Sequence, residues 1–383
     1  MGDPIFIHGI DLAAVITLVI KVLIAFVVLL VSVLMMIWFE RKIISDMQNR
    51  IGPDRAGPWG ILQSLADGVK LFFKEDLLPD RADRRMFRLA PYLSSVPAFI
   101  MFTVVPLGGV IHFGHRSTQL QVADPPIGIL LVLAASAVAV YGVLLAGWAS
   151  GSKYPLLGGV RASAQLISYE AALSLSVAAA VLITGSLSTR DIVDAQNGVI
   201  RGFIPNWNVF RLGFVPFIVF LLASTAEMNR PPFDLVEAEQ ELVGGFHTEY
   251  SSVRFALFFL AEFMGTITMS AIAVTLFLGG PDGPGFHVVR WLWPILWFAG
   301  KTIVLLFVQV WLRGTLPRLR YDQLMGFGWK FLIPVSLGWL LVVAAMRVSL
   351  GWGLVVVAIG VVFGALLVRA MTISGRRVGE VFN

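Results

Sequence analysis

Nine long apolar runs occupy most of the sequence, and they limit what the chain can fold into. A bilayer core of about 30 Å is crossed by roughly 20 apolar residues in a helix, because lipid offers the backbone no hydrogen-bond partner. The runs cover residues 12–39, 91–111, 127–149, 162–184, 209–226, 255–278, 291–312, 331–345 and 350–368. They predict an all-α, polytopic integral membrane protein with about nine transmembrane helices, in a single membrane domain over residues 1–383. Only residues 346–349 separate the last two runs, so a count of eight also stays open.

The composition excludes several classes of function. Hydrophobic residues make up 57% of the chain and charged residues 14%, and the mean hydropathy of +0.82 is far above that of a soluble domain. Because the chain has no cysteine, it cannot hold disulfides or thiolate-bound clusters, and we expect it to bind no redox cofactor and no metal. The net charge is +5, but the basic residues lie at the ends of apolar runs and not on one face. We therefore expect no nucleic-acid partner.

Positive residues are distributed unequally between the two sides of the nine predicted spans. One side carries 21 of the 29 Lys and Arg residues, whereas the opposite loops carry 6. The richer side consists of residues 40–90, 150–162, 227–254, 313–330 and 369–383. Since Lys and Arg are retained in the cytoplasm, we expect the N-terminus to lie outside the membrane and the C-terminus in the cytoplasm.

The first cytoplasmic loop, residues 40–90, contains an amphipathic pattern at residues 59–74. Its apolar face would consist of Leu62, Leu65, Val69, Phe72 and Phe73, and its polar face of Gln63, Asp67, Lys70 and Lys74. The pattern predicts a helix at the membrane surface, with one face on lipid or protein and the other toward water or a docked partner. A simple interfacial anchor is the alternative that periodicity alone leaves open.

Five ionisable residues lie within or at the edge of the apolar runs, namely Lys21, Glu170, Glu227, Glu262 and Lys301. A charged side chain costs about 2.5–3.5 kcal/mol at a helix centre on insertion scales, so such residues usually face the bundle interior and often serve ion pathways. One interpretation is a proton path. The other is a buried ion pair that orders the helices, for example between Glu170 and Lys301. The role of Lys21 stays open.

A second cytoplasmic segment, residues 227–253, is strongly acidic. Its carboxylates are Glu227, Asp234, Glu237, Glu239, Glu241 and Glu249, and over residues 227–249 Arg230 is the only fixed positive charge. Apolar residues such as Phe233 alternate with them, which indicates a partly buried segment whose carboxylates cannot all be ionised at once. The pair Pro231–Pro232 predicts that no regular helix continues past Arg230.

Four segments of the chain resemble a known family, in the order in which the family has them. They extend over residues 40–76, 147–173, 226–252 and 311–330, and they contain DMQNRIGPDRAGPWG, LISYEAAL, AEMNRPPFDLVEAEQELVGGFHTEYSS and WLRGTLPRLRYDQLMGFGWK. In these segments the chain resembles the quinone-cavity subunit of proton-pumping NADH:quinone oxidoreductase, respiratory complex I, in its longer bacterial form. Subunits of membrane-bound hydrogenases share parts of these motifs, so the electron donor stays open.

The resemblance implies a subunit in a bacterial plasma membrane that walls a narrow quinone tunnel and starts a proton path, without a catalytic residue of its own. Tunnel residues carried over from the family are Arg41, Arg50, Leu65, Phe72, Arg230, Phe233 and Asp234. Proton-path residues carried over are Glu170, Glu227, Asp234, Glu237, Glu239, Glu241, Glu249, Glu262 and Lys301. The implied partners are the peripheral iron–sulfur and quinone-site subunits and the antiporter-like membrane subunits. FMN and iron–sulfur clusters are expected in those partners, and quinone is expected as the substrate.

Two other functions compete with this interpretation. A stand-alone secondary transporter could use Glu170, Glu262 and Lys301 as its ion site, but the sequence lacks the internal repeat that many transporters have. A structural anchor for a peripheral enzyme would need only apolar spans, and the lipid-embedded charges argue against it.

Overall fold

The helices of the protein follow the apolar runs of its sequence. The computed structural model describes residues 3–6, 11–113, 116–200, 204–234, 242–284, 291–349 and 351–360, together with residues 364 and 369. Its helices are α1 (Leu12–Met47), α2 (Gln63–Phe73), α3 (Arg84–Thr103), α4 (Gly128–Ala149), α5 (Lys153–Thr184), α6 (Thr189–Asp194), α7 (Asn208–Arg211), α8 (Phe214–Glu227), α9 (Ser252–Phe277), α10 (Leu292–Thr315), α11 (Tyr321–Phe327), α12 (Ile333–Val348) and α13 (Gly351–Gly360). A π-helical turn, Gly328–Leu332, joins α11 to α12.

Two short antiparallel hairpins lie in the loops on the side of the bundle that we expect to face outward. The first pairs β1 (Val110–Phe113) with β2 (Arg116–Gln119), and the second pairs β3 (Val199–Ile200) with β4 (Ile204–Pro205). The sequence did not predict these strands. They are small enough to leave the all-α class unchanged.

Six described helices are long and apolar enough to cross a membrane. They are Leu12–Met47, Gly128–Ala149, Lys153–Thr184, Ser252–Phe277, Leu292–Thr315 and the continuous stretch Tyr321–Val348. Each of the other three apolar runs overlaps a described helix as well, namely α3, α8 and α13, of which α8 and α13 are short. The all-α, polytopic membrane class is therefore confirmed, and the count of nine spans stays a prediction.

Helix α9 lies at the centre of the bundle and is the most buried of the long helices. It packs against α1, α3, α8 and α10, while α5 packs against α4, α8 and α12. Small residues allow close contact between α4 and α5, because a side chain on Gly147 would strike the Pro155 carbonyl and the backbone of Gly159. The central position of α9 means that a polar side chain on its inner face is held inside the protein.

The amphipathic helix begins later than the sequence predicted, at Gln63 and not at residue 59. The backbone before it is left-handed at Gly57 (φ 75°), Trp59 (φ 54°) and Gly60 (φ 75°), which a helix cannot accommodate. The Trp59 carbonyl accepts a 2.9 Å hydrogen bond from the indole of Trp38 on α1. This long-range contact fixes the turn, and periodicity could not reveal it.

Candidate functional site

A buried carboxylate, Glu40, joins three distant parts of the chain at one end of the bundle. It lies on α1, and one of its oxygens is 3.1 Å from Nη1 of Arg230 in the loop after α8. The guanidinium of Arg313, near the end of α10, forms a second ion pair with the same carboxylate. The side chains of Glu40 and Arg230 are only 7% and 9% exposed. Burying such charges is costly unless they are paired, and here each has a partner of opposite sign.

Arg230 extends this cluster toward the central helix. Its Nε lies 2.9 Å from Oε1 of Glu262 on α9, and its guanidinium carbon lies 4.0 Å from the centre of the Phe263 ring. The planar guanidinium thus contacts a carboxylate on each of two helices and an aromatic face at the same time. Glu40, Arg230, Glu262 and Arg313 form one electrically balanced group, which we call the charge cluster.

The loop that carries Arg230 is held by a neutral polar residue inside the bundle. Helix α8 ends at Glu227, and Asn229 adopts a left-handed conformation (φ 51°). The amide of Gln165 on α5, which is fully buried, donates hydrogen bonds to the carbonyls of Ala226 (2.7 Å) and Phe233 (2.8 Å). These bonds span the turn and set the direction in which Arg230 leaves it. The expectation that no regular helix continues past Arg230 holds in the described residues up to 234.

Aromatic packing and a second ion pair hold the far side of this loop. Phe233 is buried between the rings of Tyr169 and Phe327, with centroid distances of 5.6 and 6.4 Å. Asp234 is also buried and accepts a 2.7 Å hydrogen bond from Arg318. The predicted tunnel residues Phe233 and Asp234 therefore lie close to Arg230, but they point into the protein core and not into either cavity described next.

A cavity of about 480 Å³ opens beside the charge cluster. Its charged lining residues are Glu40, Arg41, Arg50 and Arg313, and its apolar lining includes Ile37, Ile44, Phe259 and Phe263. Arg41 is half-exposed and is paired with Asp67 of α2 at 2.6 Å, so this helix is tied to α1 at the mouth of the cavity. The predicted tunnel residues Arg41 and Arg50 thus share one cavity with Glu40. We call it the cluster cavity.

The apolar face of α2 is turned away from the bundle. Leu65 is 51% exposed and Phe72 is 72% exposed, whereas Asp67 on the opposite face reaches Arg41. Neither Leu65 nor Phe72 lines the cluster cavity. The two faces therefore have the division predicted from the sequence, with an unpartnered apolar face available to lipid or to another subunit.

A second, smaller cavity of about 100 Å³ lies among α3, α4, α9 and the loop after α8. Glu227 and Glu262 both line it, although they lie 35 positions apart in the sequence. Glu227 is buried, and its Oε2 has no hydrogen-bond partner among the described residues. Ser136, which lines the same cavity, lies within hydrogen-bonding reach of this carboxylate. The cavity therefore brings two carboxylates and a hydroxyl together inside the bundle. We call it the carboxylate cavity.

His247 closes the carboxylate cavity on its loop side. Its ring packs against Phe246 and Phe255, with centroid distances of 5.0 and 5.3 Å. Burial among these apolar groups lowers the pKa of His247 to about 4, so the imidazole is neutral at physiological pH. A neutral histidine adds no charge beside the two carboxylates.

The remaining predicted proton-path residues are not gathered at these cavities. Glu170 on α5 is half-buried and lines neither cavity, and the same holds for Glu249 in the loop before α9. Glu237, Glu239 and Glu241 lie outside the described residues. Glu170 nevertheless lies near enough to Glu227 to act on it electrostatically. The described structure therefore brings Glu227 and Glu262 to one cavity, with Glu170 close to Glu227 but outside the lining.

Lys301 lies at the opposite end of the central helix from the charge cluster. Its ammonium donates hydrogen bonds to the carbonyls of Leu278 (2.7 Å), Gly280 (3.0 Å) and Asp282 (2.7 Å), and it lies 4.5 Å from the centre of the Trp207 ring. Sixteen residues of helical rise separate Glu262 from Leu278, which is about 24 Å at 1.5 Å per residue. No ion pair joins Lys301 to Glu170 in the described structure, so the alternative pairing of these two residues is not formed.

Lys21, whose role the sequence left open, forms an ion pair with Asp3. The same carboxylate accepts hydrogen bonds of 3.0 and 3.1 Å from the Thr118 hydroxyl in β2. Lys21 thus ties the start of the chain to α1 and the first hairpin, and among the described residues we find no link between it and either cavity.

Sequence reasoning missed four residues of the site, namely Glu40, Gln165, Arg313 and Arg318. Glu40, Arg313 and Arg318 occur in the motif segments, but they were not among the residues carried over from the family. Gln165 was missed because only ionisable residues were sought inside the apolar runs. A search for neutral amides within those runs would have found it.

Comparisons with known proteins agree with the motifs. The family model described as NADH dehydrogenase matches residues 20–344 of this chain. The chain is 54% identical to the H subunit of NADH-quinone oxidoreductase from Frankia alni over 329 residues, covering 84% of this chain and 71% of that protein. It is 52% identical to the H subunit of NADH-quinone oxidoreductase from Frankia casuarinae over 337 residues, covering 86% and 73%. The chain therefore belongs to the NADH dehydrogenase family, together with these H subunits of NADH-quinone oxidoreductase.

Proposed function

We propose that this chain is the membrane subunit that walls the quinone tunnel of a proton-translocating NADH-quinone oxidoreductase and begins its proton path. Family membership and the names of its relatives support the choice of complex. Electrons would reach quinone from FMN and iron–sulfur clusters in peripheral partner subunits, since this chain has no cysteine to hold a cluster. Antiporter-like membrane subunits would receive the coupled conformational or protonic signal.

The observation that carries this proposal is the position of Arg230 between two cavities. On one side it pairs with Glu40, which lines the cluster cavity, and on the other with Glu262, which lines the carboxylate cavity. Any change of charge in the cluster cavity therefore acts on Glu262 through a single guanidinium. A chain of directly contacting charges is the kind of physical link that coupling between two sites requires.

The proposed mechanism follows from that link. Reduction of quinone to quinol takes up two electrons and two protons. Until the protons arrive, the head group carries negative charge and attracts nearby cationic side chains. Arg41, Arg50 and Arg313 line the cluster cavity. A head group held there would act on these arginines as its negative charge develops. Arg230 would then shift its pairing between Glu40 and Glu262. The proton affinity of Glu262 would change with its partner, and Glu227 would exchange protons with it through the carboxylate cavity.

The proposal places Arg230, Phe233 and Asp234 behind the wall of the tunnel, where they hold the loop beside the cluster cavity. Leu65 and Phe72 would lie on the lipid side of the tunnel mouth, and Glu170 and Glu249 would be further proton carriers. The ammonium of Lys301 binds the Leu278 carbonyl, about 24 Å along α9 from Glu262, and we propose a structural role for it in place of proton transfer. The chain would sit in a bacterial plasma membrane with its N-terminus outside and its C-terminus in the cytoplasm, as the distribution of Lys and Arg predicts.

The quinone part of the proposal is tested by Arg50→Ala, with Arg55→Ala as the matched control. Arg50 lines the cluster cavity, whereas Arg55 is an exposed arginine of the same loop that does not line it. We expect Arg50→Ala to lower NADH-to-quinone activity in membranes several-fold while NADH-to-ferricyanide activity is retained. Arg55→Ala should leave both activities unchanged. Equal loss of both activities in Arg50→Ala would mean that the arginine serves assembly and not quinone.

A stand-alone ion transporter is less compatible with the geometry. It would need Glu170, Glu262 and Lys301 around one site, and the ammonium of Lys301 instead binds three backbone carbonyls at the far end of α9. The other alternative is that this chain is the related subunit of a membrane-bound hydrogenase complex. The two complexes differ in their electron donor. NADH-dependent quinone reduction that is lost on deletion of this chain would support our choice.

A further inference from the structure

A groove at the opposite end of the bundle from the charge cluster is lined by two arginines and by apolar residues. It lies where α8 begins, whereas the charge cluster lies beyond the end of the same helix. Its volume is about 490 Å³, within the roughly 300–1,000 Å³ of known ligand pockets. The groove is lined by Ile183, Phe210, Arg211, Leu212, Gly213, Trp339, Val342, Val343, Met346, Arg347, Gly353, Leu354 and Val357. We call it the two-arginine groove.

Arg211 and Arg347 are the charged residues in this lining, and no carboxylate accompanies them there among the described residues. The two guanidinium groups lie near enough to repel each other. Only 6 of the 29 Lys and Arg residues lie on this side of the predicted topology, and two of the six line one groove. Loops on this side of a membrane protein normally contain few Lys and Arg residues. Two arginines close together here therefore favour a negatively charged ligand between them.

Backbone contacts hold both arginines in place. Arg211 donates to the Ala195 carbonyl at 3.2 Å, and Arg347 donates to the carbonyls of Leu182 and Ile183 at the end of α5. A guanidinium has five N–H donors, so each arginine keeps several for another acceptor. Arginine forms paired hydrogen bonds with phosphate oxygens through its planar fork.

The rest of the groove is apolar and open to the surroundings of the bundle. Leu354 is 64% exposed, and Phe210 and Met346 are also exposed. The indole of Trp339 forms the floor, where it donates a 2.8 Å hydrogen bond to the Leu212 carbonyl and lies against Gly213. An apolar channel that leads away from two cations matches a molecule with an anionic head and a hydrocarbon chain.

We propose that the two-arginine groove binds one anionic phospholipid, with its phosphate between Arg211 and Arg347 and an acyl chain along α12 and α13. The phosphate would accept hydrogen bonds from the guanidinium N–H groups that are not bonded to backbone carbonyls. The acyl chain would cover the exposed apolar wall. This inference does not depend on quinone chemistry. It concerns the opposite end of the bundle from the cavities described above.

The test uses the assembled complex and phosphatidylglycerol with a photoactivatable group in its acyl chain, followed by mapping of the labelled peptides. We expect labelling of residues in α12 and α13 of the wild type. Unlabelled phosphatidylglycerol should compete, whereas phosphatidylcholine with the same chains should compete weakly and inorganic phosphate should not compete. An arginine near a membrane surface favours an anionic lipid about fivefold, so Arg211→Gln together with Arg347→Gln should weaken labelling roughly 25-fold.

Two further variants separate charge from folding. The double change to Arg211→Lys and Arg347→Lys keeps both charges and should retain most of the labelling. Arg190→Gln removes an arginine on the same side that is paired with Asp194 instead, and it should have no effect. Equal labelling in the wild type and the double glutamine variant, or equal competition by phosphatidylcholine, would overturn the inference. Displacement by inorganic phosphate would indicate a site for a free anion and would overturn it as well.

Discussion

Arg230 and Glu40 lie 190 positions apart in the sequence and form a buried ion pair of 3.1 Å, with both side chains less than 10% exposed. The pair joins the loop after α8 to the end of α1. Because Arg313 contacts the same carboxylate and Glu262 the same guanidinium, four charges from four segments meet at this point. The stability of the cluster and the proposed coupling therefore depend on the same contacts.

The first prediction concerns Arg230→Met. Removing one partner of a buried pair leaves an uncompensated charge and costs about 3–5 kcal/mol, so we expect the assembled complex to be depleted from the membrane on native gels. Arg230→Lys keeps the charge but cannot contact both carboxylates through a planar fork, and it should give an intermediate amount. The control is Arg320→Met, which breaks an exposed pair with Asp322 and should cost less than about 1 kcal/mol. Equal amounts of complex in the two methionine variants would contradict the prediction.

The second prediction concerns Gln165→Leu. Leucine has a similar size but cannot donate to the carbonyls of Ala226 and Phe233, and each unsatisfied buried group costs about 1–3 kcal/mol. We expect a lower melting temperature of the complex and a larger fall in NADH-to-quinone than in NADH-to-ferricyanide activity, because the loop that carries Arg230 loosens. Gln63→Leu, on the polar face of α2, serves as the control. If both variants melt alike and keep both activities, Gln165 does not position the loop.

Hydropathy predicted where the helices lie, because each run is long enough to span lipid and too apolar for water. It could not predict which charges meet, since the pairing of Glu40 with Arg230 depends on how α1, α8 and α9 pack. The same limit applies to Lys301, which the family resemblance grouped with the carboxylates and whose ammonium is bonded to carbonyls at the end of α9 and in the loop after it. Trp59 was included in the amphipathic helix because side-chain periodicity says nothing about a left-handed backbone.

The third prediction concerns Lys301→Met. The lysine satisfies carbonyls at the end of α9, where a positive charge also complements the helix dipole. We therefore expect less assembled complex, while the complex that does assemble pumps a normal number of protons per NADH oxidised. Lys330→Met, at an exposed position, should change neither quantity. If Lys301 carries protons, Lys301→Met should assemble normally and pump fewer protons per NADH oxidised. That result would contradict the structural role.

The fourth prediction concerns pH and His247. Burial lowers the pKa of His247 from 6.5 to about 4, so the unfolded chain binds a proton more readily than the folded one between these values. The stability that the neutral ring contributes is present above pH 6.5 and is lost progressively as the pH falls toward about 4. We expect the melting temperature of the wild-type complex to fall more steeply than that of His247→Phe between about pH 7 and about pH 5. Parallel pH profiles would show that His247 is not buried in the assembled complex.

The proton path is tested most directly by Glu227→Gln and Glu262→Gln, because glutamine preserves the shape of the side chain and removes its titratable proton. Both carboxylates line one cavity, whereas Glu75 is an exposed carboxylate of the first cytoplasmic loop that lines neither cavity, and it supplies Glu75→Gln as the matched control. The measurement is the number of protons pumped per NADH oxidised in membrane vesicles, with native gels of the same membranes as the record of assembly. We predict assembled complex in all three variants, because Arg230 keeps Glu40 as its partner when Glu262 becomes glutamine. Pumping should be strongly reduced in Glu227→Gln and Glu262→Gln and unchanged in Glu75→Gln. Normal assembly with normal pumping in both cavity variants would contradict the account.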